Sequence, residues 1–230
     1  MSTANTAKKT SGYHHAHHFE SAEHEYTSAK QGIWLFLCTE IMMFGGLFVG
    51  FIYFHHIYPQ VFQIGSTFTD WRLGAANTVV LLFSSLTMAL GIYYTQTANR
   101  SKAQMMMLIT IICGAIFMAI KYVEYSHKIH LGLLPGGWYD ITPDAMAEIT
   151  GKFGKIPDNL ALYFSFYYMM TGLHGIHVLI GMGLIAWGMV RTARGEFGPD
   201  HFTFIEGAGL FWHLVDLVWI YLFPLLYLVT

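Results

Sequence analysis

Three ionisable side chains, Glu206, His213 and Asp216, stand inside the stretch Phe204 to Phe223, FIEGAGLFWHLVDLVWIYLF, which is long and apolar enough to cross a bilayer. Two more histidines, His174 and His177, fall three apart in LYFSFYYMMTGLHGIHVLIGMGLIAWGMV, and Glu40 lies deep within GIWLFLCTEIMMFGGLFVGFIYF. A charge near the bilayer centre costs about 3 kcal/mol or more, so each of these groups has to be paired, hydrogen-bonded or protonated. Three chemistries follow. Carboxyls and imidazoles at this depth can relay protons. His174, His177 and His213 lie at comparable depths and would ligate haem or a metal if their helices brought them together. The same groups can also do no more than hydrogen-bond one helix to another. Asp216 has His213, one turn away, as its nearest candidate partner. For Glu40 two readings stand: a protonated carboxyl hydrogen-bonded between helices, or a proton-exchanging or lipid-coordinating group.

The elements that position these residues are apolar helices. Runs long enough to span occur at about Gly32 to Tyr58, Arg72 to Ala98, Gln104 to Ser126, Leu160 to Val190 and Phe202 to Val229. On the last, at 100° per residue, Glu206, Gly209, His213, Asp216 and Ile220 share about a quarter of the circumference. Phe211, Leu214, Val215, Val218, Leu222 and Leu225 lie opposite, which predicts a protein face and a lipid face. Trp212 and Trp219, a heptad apart, offer N–H donors to a neighbouring helix. In the second span Asn77 and Ser84 form one stripe with Thr78 and Ser85 beside them, suited to a contact made by small polar residues. Gly46 and Gly50 predict a close helix contact in the first span. Lys121 and Glu124, three apart near the end of the third span, read as an intrahelical pair with the lysine snorkelling to the surface. In the fourth, Tyr163, Tyr167, His174, His177 and Gly181 fall within a narrow arc.

The fold class is therefore all-α, a polytopic bundle of five transmembrane helices at 32–230 behind a polar tail at 1–31. The chain is 54% hydrophobic and 11% charged, against roughly 25% charged in soluble domains. Its scattered cations leave no electrostatic footprint for nucleic acid. Cys38 and Cys113 sit in apolar helices without CxxC spacing and read as packing residues. The tail has no apolar core of the kind a cleavable signal peptide needs; its HHAHH run at His14 to His18 is a metal-binding run, an appended tag or a solvated segment. Lys8, Lys9, Lys30, Arg100, Lys102, Arg191 and Arg194 lie on one side, against Arg72, Lys128, Lys152 and Lys155 on the other, which predicts a cytoplasmic amino terminus and an outward carboxyl terminus. The third connection, about 127–159, carries a helical segment, Pro143 to Thr150, with Thr142 as N-cap. Its apolar patches, Leu131 to Leu134 and Trp138 to Tyr139, predict contact with a neighbouring chain or the membrane surface.

TGLHGIHVLIG (Thr171 to Gly181) followed by HFTFIEGAGLFWHLVDLVWIYLF (His201 to Phe223) resembles subunit III of the haem-copper oxidases, the cytochrome c oxidase subunit III family. GIWLFLCTEIMMFGGLF resembles that family's helix with a buried glutamate, AANTVVLLFSSLTM its Asn-Thr helix and YVEY its Glu-Tyr helix end, all in family order. The resemblance, over roughly Gly32 to Tyr227, is to the five-helix bacterial form.

It implies a noncatalytic chain of an oxidase complex in the bacterial inner membrane, acting in aerobic respiration, with no haem or copper of its own and both in partner subunits. It implies packing on subunit I, contact with other subunits including subunit II, bound phospholipid, and support of proton uptake and oxygen access. Glu40 matches the family's buried carboxylate, Glu206, His213 and Asp216 its final-helix polar stripe, and His174 and His177 its histidine pair. Arg191 falls where the family has a basic residue able to meet a lipid phosphate. The arm that completes a lipid-filled cleft in seven-helix members is missing, so any equivalent cleft is expected to need subunit I or another chain. The 127–159 connection is expected to dock cytochrome c or another respiratory complex. A quinol oxidase subunit or a nitric oxide reductase accessory is the alternative within this relationship; an independent haem-binding cytochrome or a proton-coupled transporter is the alternative outside it.

Overall fold

A computed structural model describes residues 21–136, 138–155, 157–198 and 201–228. The histidine run at 14–18 lies outside them. The first helix, α1 (Ala22–Ile57), starts where the Ser21 hydroxyl accepts the His24 N–H at 3.1 Å, ten residues ahead of Gly32. At 1.5 Å per residue its 36 residues run far beyond a hydrocarbon core of about 30 Å, so its first turns, carrying Glu23, Glu25, Tyr26 and Lys30, stand beyond the apolar slab. Hydropathy locates the apolar part of a helix and is blind to such an extension.

A short helix that the sequence reading did not foresee, α2 (Pro59–Ser66), follows directly, with proline in its first turn where no N–H is needed. Gly65 lets it lie against the next-but-three helix: a Cβ there would come within 2.3 Å of the Tyr163 ring. Next come α3 (Trp71–Gln96), capped by Asp70, and α4 (Arg100–His130), capped by Asn99. In the long connection α5 (Pro143–Phe153) forms where expected, but the Thr142 hydroxyl makes no cap bond; proline at the start and Gly154 at φ 74° at the end define it. The remaining spans are α6 (Leu160–Ala193) and α7 (Thr203–Phe223), which runs on into a π-helical turn, Pro224–Leu228. The five long helices agree with the five expected spans.

α3 packs on α4, α4 on α6, α6 on α7 and α7 on α3, closing a ring of four antiparallel neighbours, while α1 leans on the outside of this ring through α7, α6 and α2. The ring explains a difference from the expected faces of α7. Phe211, Leu214, Val215, Val218 and Leu222, assigned to lipid, are all buried in the protein, whereas Ile220, assigned to protein, is exposed together with Leu217 and Tyr221. Lipid tails and leucines are equally apolar, so periodicity cannot separate them. The Gly46 and Gly50 pair makes no close helix contact: among the described residues nothing lies within 4 Å of a Cβ at Gly46, and Gly50 meets only Phe166, at 3.5 Å. α1 is instead held at its far end by aromatics, Phe51 standing edge-on to Phe62 and Phe166.

The third connection folds onto its own bundle more than expected. Leu133 is fully buried and bridges Tyr139, whose phenol burial pushes up to about 12, so the Leu131 to Leu134 patch is partly core; Trp138 alone of the four residues 133, 134, 138 and 139 is classed as exposed, at 79%. The helix α4 also continues to His130, four residues into the segment read as loop.

Candidate functional site

Between α1 on one side and α6 and α7 on the other lies a cleft of about 1160 Å³. Its walls are apolar, from Ile33, Phe36, Ile180, Leu184, Leu210 and Phe211. One clasp crosses it in the middle of the helices: His177 Nε2 meets Glu40 Oε2 at 2.9 Å, while His177 Nδ1 meets the Leu173 carbonyl at 2.7 Å. A second clasp closes its amino-terminal end. Lys30 pairs with Glu206 Oε1 at 2.9 Å, and the Tyr26 hydroxyl donates to Glu206 Oε2 at 2.9 Å. Glu206 thus belongs to the first turn of α7, where a carboxylate also suits the helix N-terminus, and not to the apolar middle of the span. Arg191 lines the same end, its Nε donating to Glu196 at 2.6 Å and its guanidinium lying over the Phe197 ring at 4.8 Å. His201 completes the mouth; burial pushes its imidazole below the ordinary range and nearby Arg191 adds to this, against the pull of Glu25. This cleft is built within one chain and is distinct from the one that the missing two-helix arm would complete. α1 supplies the second wall.

The histidines do not converge. His177 faces the cleft, His174 is buried against Phe117 and Trp219 inside the ring, and His213 turns to α3, where its Nδ1 meets the Ser85 hydroxyl at 2.7 Å. His213 is therefore not the partner of Asp216, whose buried carboxyl lies beside the Ser85 hydroxyl instead. Among those residues no group of three or more His, Cys, Asp or Glu side chains is placed to hold a metal ion. The small polar stripe of α3 meets α7 as its spacing indicates: the Trp212 N–H donates to Ser84 Oγ and the Trp219 N–H to Thr78 Oγ1, each at 3.0 Å. Replacing Asp216 by asparagine is expected to leave assembly intact, and replacing it by leucine to lower the assembled level several-fold, read from the amount of this chain in the purified complex. Equal loss in both variants would show that charge itself is required.

At the opposite end of the ring stands a network that sequence reasoning saw only in part. Lys121 does not snorkel: it is buried, and its ammonium donates to Glu124 Oε2 at 2.8 Å, to the Tyr167 hydroxyl at 3.0 Å and to the Tyr227 hydroxyl at 2.8 Å. Lys128, one turn beyond Glu124 and 1% exposed, donates to Glu124 Oε1 at 2.7 Å and lies 4.5 Å over the Tyr167 ring. Tyr227, in the π-helical turn, donates to both Glu124 oxygens at 2.8 Å. One carboxylate thus joins two ammonium groups and ties α4, α6 and the end of α7. The i, i+3 and i, i+4 spacing of Lys121, Glu124 and Lys128 was the available signal; treating residues from 127 onward as loop hid it.

A family model described as cytochrome c oxidase subunit III matches residues 10–131 and 145–230. The chain belongs to that family. Similar proteins include a probable quinol oxidase subunit 3 of Staphylococcus saprophyticus, 26% identical over 218 residues that make up 94% of this chain and 96% of that protein. Another, from Staphylococcus haemolyticus, is 24% identical over 216 residues, with the same shares. A third, from Staphylococcus aureus, is likewise 24% identical over 216 residues. As a member of the subunit III family this chain is a subunit of a haem-copper oxidase and associates with the other oxidase subunits. The family match leaves out 132–144, the part of the third connection that leads into the first two residues of α5.

Proposed function

We propose that this subunit III holds phospholipid in the cleft between α1, α6 and α7, packs on the catalytic subunit I with further contacts to subunit II, and so keeps proton uptake and oxygen access effective through repeated turnover. Haem and copper belong to the partner subunits, and the complex sits in a bacterial inner membrane with the amino terminus of this chain in the cytoplasm, as its cation count favours. The observation that carries this reading is the cleft itself. It has apolar walls along the helices, with charged and polar groups, Lys30, Glu206, Arg191 and His201, gathered at one end, which is the layout an amphiphile with a polar head requires.

The test is to purify the complex through this chain in mild detergent and to measure its optical spectrum, metal content and bound lipid, beside the chain alone. The expected result is a haem- and copper-containing complex with retained phospholipid, and a colourless, metal-free chain. Stoichiometric haem or metal in the chain alone, lost on replacing His174, His177 or His213, would overturn the noncatalytic reading. The names of the similar staphylococcal proteins favour a quinol as the electron donor of the complex. Oxygen consumption driven by a quinol but not by reduced cytochrome c would support that donor, and the reverse would exclude it.

A further inference from the structure

In the middle of its spans the outer surface of the bundle is apolar: α4 turns Ile112 and Ile116 outward, and α6 turns Ile176 and Leu179 outward. The seam between α3 and α7 departs from this. His213 lies halfway along α7 and Ser85 just past halfway along α3, so both helices put the pair about 15 Å from the ends of α7. Both side chains are half-buried. Leu82, one turn before Ser85, is exposed, and so are Leu217 and Ile220, one and two turns beyond His213.

The fold accounts for one of the two nitrogens of His213. Nδ1 meets the Ser85 hydroxyl at 2.7 Å, beside the buried Asp216 carboxyl. Nε2 has no hydrogen-bond partner among the described residues and, unlike both nitrogens of His174, it is not sealed inside the protein. It opens on the outer surface. At this depth no headgroup and no bulk water reaches it, and lipid tails cannot bond it, so a polar atom left there against lipid carries the full penalty of an unsatisfied group in hydrocarbon. Covering it with protein that supplies a hydrogen bond removes that penalty.

We infer that the α3–α7 seam is the face on which this chain docks a neighbouring oxidase subunit, through a membrane-spanning helix that places a hydrogen-bonding side chain on His213 Nε2 and apolar side chains on Leu82, Leu217 and Ile220. The inference rests on the proposed packing of this chain on another subunit and adds which face is used. Its occupant follows from the complementarity required: apolar at the rim, so that it lies in the bilayer, and polar at one point opposite the imidazole. A neutral imidazole with Nδ1 bonded to a hydroxyl presents Nε2 as either donor or acceptor, so a hydroxyl or carboxamide on the partner helix satisfies it in both tautomers. The cleft takes its lining from α1, α6, α7 and the segment just before α7, and so this face is a separate surface that leaves the cleft open.

The test is site-specific photocrosslinking in intact membranes, together with the amount of this chain retained when the oxidase complex is purified in detergent. Benzoylphenylalanine in place of Leu82 or Leu217, both exposed, is expected to form an adduct with another oxidase subunit. The same probe in place of Ile112 on α4 or Leu179 on α6 is expected to form none. H213F is expected to lower the retained amount several-fold, and H213Q to recover part of it because its amide still bonds across the interface. S85A, which removes the inward bond and keeps Nε2, is expected to retain nearly the normal amount. Equal losses in H213F and S85A would assign His213 to the seam within this chain and overturn the docking face. Adducts from Ile112 or Leu179 and none from Leu82 or Leu217, in a chain that still copurifies with the oxidase, would overturn this face while the subunit reading stands. An adduct between two copies of this chain would overturn the choice of partner, and a chain that copurifies with no haem-containing complex would defeat the proposed function and this inference with it.

Discussion

Glu124→Leu is expected to strip this subunit of about 3–5 kcal/mol of stability, the usual cost of leaving a buried charge without its partner, and to leave little of it in the membrane. Both oxygens of Glu124 are committed, to Lys121, Lys128 and Tyr227. Removing that carboxylate leaves two buried ammonium groups two helical turns apart, with only phenol oxygens and ring faces to receive them. The loss comes from the uncompensated charges and not from a large intrinsic worth of the cluster. Replacing all three residues together, K121M with E124L and K128M, is therefore expected to recover most of the assembled level. The amount of subunit in the purified complex and the thermal midpoint of the complex are the readouts. A Glu124→Leu complex with unchanged amount and midpoint would show that the network contributes nothing to holding the ring.

Glu40→Ala is expected to act on duration and leave the initial rate nearly intact. The carboxyl lies across the cleft from His177, and on the proposed reading the redox centres belong to other chains, so no electron-transfer step is expected to pass through it. Its removal takes away the polar tie between α1 and α6 in the middle of the cleft and leaves only apolar and ring contacts there, such as Phe44 against His177. The expected outcome is an oxygen-consumption trace that starts near the unmodified rate and decays several-fold sooner under continuous turnover, with Glu40→Gln intermediate because its amide still bonds the imidazole. An immediate collapse of the initial rate would contradict the proposed supporting role.

The long helices were legible because each carries more than enough apolar residues to span, a signal that does not depend on neighbours. The seam between α3 and α7 was also legible: Asn77 with Ser84, and Trp212 with Trp219, repeat at seven residues, and such a repeat keeps a residue on one face. Other features were hidden for physical reasons. The two faces of α7 have the same hydropathy, yet one lies against protein on a side read as lipid. The Glu124 network draws on residues from α4, α6 and the π-helical turn, and no local pattern links Tyr167 or Tyr227 to a glutamate more than forty or a hundred positions away. Glu206 read as intramembrane because the preceding turn is apolar; only the extension of α1 back to Ala22 reveals Lys30 and Tyr26 as its partners.

The placement of α1 outside the closed ring separates two properties that most small bundles must keep in the same residues. Trp212, Trp219 and the Glu124 network lie wholly within α3, α4, α6, α7 and the turn that follows it, so the stability of the fold is written there. One wall of the cleft comes from α1, which contributes little to the ring's interior. Substitutions along Ile33, Phe36 and the neighbouring turns can reshape what the cleft accepts while the ring stays folded. This chain is in that sense a scaffold with an exchangeable side panel: on the proposed reading, what the cleft accepts can be changed without altering the architecture that supports it.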